Sequence, residues 1–175
     1  MSTNTAASSN NISSALIAEL KEEAATTRKC LERIPADKFD WKPHEKSYSM
    51  KTLAVHVAEM FGWTPPTVLQ PELDFAKMDY KPADPKDAAE LVELLDKNVA
   101  EAVSALEKTP DEAYGDQWSL RNGETIYFTM PRGSVMRGMV LSHIVHHRGQ
   151  LTVYLRLNNI PVPSIYGPSA DEGQM

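Results

Sequence analysis

Apolar positions recur at three- and four-residue spacing through four long segments, the mark of helices that bury one face. The first runs from about Ile12 to Ile34 and stops at Pro35, with Leu16, Leu20, Thr27, Cys30 and Leu31 on its inward side. The second follows Ser49, a side chain suited to capping the free amides of a helix start. It carries Leu53, His56, Val57, Met60 and Phe61 before Thr64-Pro65-Pro66, where two prolines permit a kink or a restart, with Thr67–Leu69 as a short extension. The third opens at Asp84-Pro85, a cap followed by a first-turn proline, and continues through Leu91, Leu95, Val99, Ala102 and Leu106 to Lys108. The fourth runs from roughly Gly133 to Asn158, about 25 residues or ~38 Å of helix. Its inward stripe reads Met136, Val140, His143, His147, Leu151 and Tyr154.

One stretch departs from this period. Gln117-Trp118-Ser119-Leu120 and Thr125-Ile126-Tyr127-Phe128-Thr129 flank Arg121-Asn122-Gly123-Glu124, and Asn-Gly between apolar runs predicts a hairpin closed by a type I′ turn. Two strands alone are marginal in water, so the hairpin must rest on the helices. The connection from about Gln70 to Ala83 is polar and proline-marked, and reads as a crossing over one end of the helices. The expected fold is therefore all-α, a four-helix bundle with a small β-hairpin between helices three and four. Residues 1–11 are polar and read as a disordered N-terminal tail, leaving 12–175 as a single domain.

Composition narrows the function classes. A chain of 175 residues, 42% hydrophobic and 24% charged, has the balance of an ordinary globular domain that builds its core without staples. The formal charge of −6, without a basic run longer than two residues, opposes nucleic-acid binding, which needs clustered cations to displace phosphate counterions. Neither an apolar stretch of about eighteen residues nor a positively charged apolar leader is present, so the expectation is a cytoplasmic protein with no membrane partner. The single cysteine, Cys30, has no internal disulfide partner and falls at core spacing.

Candidate chemistry concentrates in His143-Ile144-Val145-His146-His147-Arg148-Gly149-Gln150. Residues four apart share a helix face, so His143 and His147 project side by side. Two inward imidazoles require partners, and one divalent metal satisfies both. His56, on the apolar side of the second helix, supplies a third donor. Three protein ligands with an open position are the usual make-up of a catalytic zinc site. Neutral imidazole suits zinc, nickel, iron and copper about equally; zinc or nickel is the working expectation. His146 stands about 300° around the helix from His143 and reads as a flanking group. Glu59, one turn after His56, reads either as a solvated carboxylate or as a group that orients a ligand or takes a proton, and Gln150 either as a group behind a ligand or as a capping or interhelix hydrogen-bonding residue. Gly149 reads as a close-packing point, Arg148 as a structural ion pair, and His44 as an exposed loop residue.

The chain resembles the DinB-like (DinB/YfiT-like) family of metal-dependent proteins over most of its length. The likeness rests on Phe39-Asp40-Trp41-Lys42-Pro43, Lys46-Ser47-Tyr48-Ser49-Met50 leading into Leu53-Ala54-Val55-His56, His143 to Leu151, and Val162 to Glu172 with its Tyr166-Gly167-Pro168-Ser169 run. It implies a four-helix bundle, a three-histidine metal centre at His56, His143 and His147, and homodimers formed through helix faces. It also implies a small-molecule substrate, since related proteins include transferases that add a low-molecular-weight thiol to electrophiles. Two functions remain open. One is a hydrolase or thiol transferase in which the metal activates water or a small thiol, with Glu59 or His146 relaying a proton. The other is a non-catalytic, metal-binding stress-response dimer, which a fourth protein ligand would favour; Cys30 and Glu59 are the candidates for that ligand.

Overall fold

The computed structural model describes residues 11–173; residues 1–10 of the expected tail lie outside the described residues. Asn11, assigned to that tail, instead begins the first helix: its side chain accepts a hydrogen bond from the Ser14 amide at 2.7 Å. Four long helices carry the structure. They are α1 (Ile12–Leu31), α2 (Met50–Glu59), α4 (Ala88–Glu107) and α6 (Ser142–Leu157), with the short α3 (Thr64–Leu69) and α5 (Arg132–Val135) between them. Helices α1 and α2 each pack against both α4 and α6. Leu20, Leu53, Leu91, Leu106, Ile144 and Leu151 are wholly excluded from water at the centre of that arrangement.

The helix starts follow local chemistry. Ser49 caps α2 by accepting from the Thr52 amide at 3.1 Å. The paired prolines restart the chain after a 3₁₀ turn at Met60–Trp63, standing in the first turn of α3 where missing amides cost nothing. The third long helix does not begin at Asp84-Pro85. Asp87 caps it, accepting from the Glu90 amide at 3.0 Å, while Glu90 reaches back to the Lys86 amide at 2.9 Å. This near-reciprocal arrangement satisfies two free amides and leaves Asp84 to pair with Lys51.

The fold is not all-α. Strands β1 (Glu72–Asp74), β2 (Gln117–Asn122) and β3 (Thr125–Pro131) form one sheet in the order β1-β2-β3. The expected hairpin is β2–β3, and β1, inside the connection read as a polar crossing, adds to its edge in parallel. Gly123 lies at φ +58° in the first of two loop positions, and Glu124 has no positive φ. A type I′ turn needs positive φ at both places, so the loop follows the II′ preference for glycine first. Asp74 ties β1 to this loop by accepting from the Gly123 amide at 2.8 Å. The sheet rests on the helices through a second small core of Leu73, Trp118, Leu120 and Val135, and the Trp118 indole donates to the Pro66 carbonyl at 3.0 Å.

The last helical run is continuous from Arg132 to Leu157 but contains a π segment at Met136–Leu141. The buried positions there are Met136, Val140 and Leu141, and the stripe continues as Ile144, Arg148, Leu151 and Leu155. His143 and His147 consequently lie on the half-buried flank of that stripe. Gly149 is exposed, with open space where a Cβ would stand, so it is no close-packing point. No described helix is long and apolar enough to cross a membrane.

Candidate metal centre

Helices α2 and α6 bring the three sequence-marked histidines together. One ring nitrogen from each of His56, His143 and His147 lies within 4.8 Å of the others, and among the described residues no cysteine or carboxylate joins this group. The His56 ring centroid stands 5.4 Å from that of His143 and 4.8 Å from that of His147. His143 Nε2 and His147 Nε2 face one another at 2.8 Å.

A partner on the far edge of the His147 ring sets its orientation. Gln150 Oε1 lies 2.6 Å from His147 Nδ1. An amide oxygen only accepts, so Nδ1 carries the proton and Nε2 presents its lone pair. The His147 lone pair thus points at the His143 Nε2 atom, into the space where a cation would take donors from all three rings. The backbone of Met139, in the π segment one turn earlier, also acts on the His143 ring and favours its protonated form. Nitrogens 2.0–2.1 Å from a shared tetrahedral ion stand about 3.4 Å apart, a spacing bracketed by the observed separations. The donor set fits a divalent metal.

The electrostatics agree. Burial, then the facing His147 and His143 rings, lowers the His56 pKa to about 4. Burial and His147 also lower that of His143, against the Met139 hydrogen bond. Imidazoles kept neutral at ordinary pH are ready ligands.

The two residues expected to move protons occupy different surroundings. Glu59 lines the cleft beside His56, where its carboxylate accepts from the Tyr80 hydroxyl at 2.5 Å and the Ala83 amide at 3.0 Å. Burial and this carboxylate raise the Tyr80 pKa to about 12, keeping the phenol protonated. His146 is exposed, its ring centroid 4.8 Å from that of His147. Cys30 is fully buried in the main core, where burial pushes its thiol up to about 11, and it takes no part in the triad. His44 is exposed and accepts from the Lys46 amide. A cleft of about 520 Å³ opens beside the centre, lined in part by Tyr48, Lys51, His56, Glu59, Tyr80 and Asp84. Sequence reasoning missed Tyr80. Its signal was an aromatic in an otherwise polar connection, but nothing local shows that this connection folds back onto α2.

Arg148, beside His147 in sequence, turns to α1 instead of α2. It is 1% exposed and forms an ion pair with Glu23 at 2.5 Å. Its guanidinium also donates to the Glu23 carbonyl at 3.1 Å, the Thr26 and Thr27 hydroxyls and the Tyr166 hydroxyl. Tyr166 in turn donates to the Glu23 carboxylate at 2.8 Å. The C-terminal segment is thereby fastened to α1 and α6, with Arg33–Glu172 and Arg156–Asp171 ion pairs as outer ties.

Known proteins share this architecture. A DinB-like protein from Bacillus subtilis, YjoA, superposes with a TM-score of 0.67 at 18% identity, over 83% of this chain and 92% of its own. A DinB-like protein from Bacillus cereus ATCC 10987 superposes with a TM-score of 0.66 at 20% identity, over 89% of this chain and 98% of its own. YrdA of Bacillus subtilis (strain 168) is 46% identical over 43 residues, a quarter of each chain. The model of the DinB family matches residues 1–174; with the helical frame and histidine cluster already described, the chain belongs to the DinB family.

Proposed function

We propose that the protein is a metal-dependent enzyme whose His56, His143 and His147 hold one divalent ion, zinc or nickel, that activates water or a small thiol against a small-molecule electrophile. The observation that carries this reading is the convergence of the His143 and His147 Nε2 atoms, with His147 held from its far edge by Gln150, beside an open cleft. A bound ion supplies Lewis acidity, which favours the anionic form of water or thiol. The chain's own residues then have separable tasks. Gln150 fixes the His147 tautomer. Glu59, which already takes a hydrogen bond from Tyr80, is placed to accept a proton released in the cleft. His146, exposed at the rim, is placed to exchange one with solvent.

The test compares metal-loaded and chelated protein on a small thiol with an alkylating electrophile, and separately on esters. Consumption of free thiol distinguishes transfer from hydrolysis. Turnover that needs the ion and vanishes in His147→Ala supports the proposal. Turnover indifferent to chelation contradicts it.

A further inference from the structure

The connection between α3 and α4 places a second cleft against the triad. It measures about 400 Å³ and is lined by His56, Glu59, Trp63, Phe75, Met78 and Tyr80. This is within the range of small-molecule sites. Tyr80 and Glu59 border both this cleft and the larger one. The apolar walls come from separate elements: Trp63 from the 3₁₀ turn after α2, Phe75 from the turn after β1, and Met78 from the connection beyond it. Trp63 and Phe75 meet edge to face, with centroids 6.4 Å apart. Phe75 and Met78 nonetheless remain 38% and 42% exposed, so these apolar groups gather around a space.

The lining also selects by charge. Its ionisable groups are His56, Tyr80 and Glu59, the last already engaged by Tyr80 and the Ala83 amide. No lysine or arginine lines it, so an anionic body would meet a carboxylate without a compensating cation. A flat, uncharged ring system suits both the walls and the field, since aromatic rings gain from edge and offset contacts beyond their buried area. His56 is common to cleft and triad, so a molecule seated among the rings reaches the triad at His56.

We propose that this cleft binds the uncharged aromatic body of a small molecule whose metal-seeking head group meets His56, His143 and His147. Phe75 and Tyr80 thereby determine which substrates are accepted. The head-group half of this proposal rests on the triad holding a metal; the aromatic half does not.

The two halves separate experimentally. Dissociation constants of 2-naphthohydroxamate and acetohydroxamate are measured for the zinc-treated protein, for Phe75→Ala and Tyr80→Ala, and for His147→Ala. The naphthyl compound should bind about tenfold more tightly than acetohydroxamate. Phe75→Ala should erase most of that preference while leaving acetohydroxamate within about twofold of its original affinity. Because Phe75 and Tyr80 are partly exposed, both variants should fold, and circular dichroism verifies it. Equal binding of the two hydroxamates overturns the aromatic cleft, as does a preference that survives both truncations. If His147→Ala binds both compounds as the wild type does, the head-group half fails. A naphthyl preference still abolished by Phe75→Ala would in that case keep the aromatic half alone.

Discussion

His147 and Arg148 are neighbours on one helix and illustrate two ways of handling a polar group away from bulk water. Arg148 is buried with a complete set of protein partners: a carboxylate, a carbonyl and three hydroxyls. Nothing is left for a ligand to satisfy, and its consequence is structural. His147 has a partner on one edge only, and on the other it faces imidazoles that offer no charge of opposite sign. The difference teaches that burial of a polar side chain does not by itself mark function. The incomplete partner set does.

The largest effect separating the two regions should come from Arg148→Met. Removing one partner of a buried ion pair leaves Glu23 uncompensated, and a loss of about 3–5 kcal/mol is expected in urea unfolding. Replacing Glu23 by Leu in the same chain should recover much of it, because an apolar pair of similar volume avoids the desolvation cost. A single variant as stable as the wild type would erase the distinction drawn here. His147→Ala should instead change the stability of metal-free protein by no more than about 1 kcal/mol, while removing the stabilisation that added zinc gives the wild type by mass action. Thermal melts with and without the ion measure both.

Sharper still is Gln150→Leu, which keeps all three ligands and removes only the group that orients one. Metal affinity should fall about 10- to 100-fold, read by competition with a chromophoric chelator; an unchanged affinity would mean that the His147 orientation does not depend on Gln150. The smallest effect concerns the outer ties of the C-terminal segment. Asp171 is held below its ordinary 3.8, first by Arg156 and then by the Val162 amide. Glu172 is held below 4.5, first by Arg33 and then by the Ser164 amide. Both lowered values mean that the unfolded chain binds protons more readily. This stabilisation is therefore complete above those ordinary values and is lost as pH falls through the lowered ones. Amide-exchange protection at Val162 and Ser164 should decline on acidification below pH 4.5 before core amides do. Simultaneous loss would show that the segment does not open separately.

Much of this contrast was legible in the sequence. An i,i+4 histidine pair and a third histidine on another helix's apolar side identify the triad, because helix geometry alone brings the pair together. Ser49 and the prolines likewise set helix limits by local chemistry. What escaped was non-local or broke the assumed period. The three residues of β1 acquire strand structure only because β2 offers an edge to pair with. Asp84 and Asp87 are both plausible caps by residue type, and the choice follows from Glu90 on one side and Lys51 on the other. The π segment adds one residue to the helical step. Stepping three residues on from Val140 places His143 and His147 at the centre of the buried stripe, whereas Ile144 and Arg148, four and eight residues after the buried Val140, occupy it and the histidines stand on its accessible flank.

The central claim is that the triad is a metal centre, and elemental analysis of protein purified without chelator or polyhistidine tag tests it most directly, with His147→Ala in parallel. About one divalent ion per chain in the wild type, by native content or after reconstitution, and none in a variant of unchanged helicity, is the expected result. A wild type that takes up no zinc, nickel, iron or manganese, or a variant that keeps its full metal content, would contradict the account.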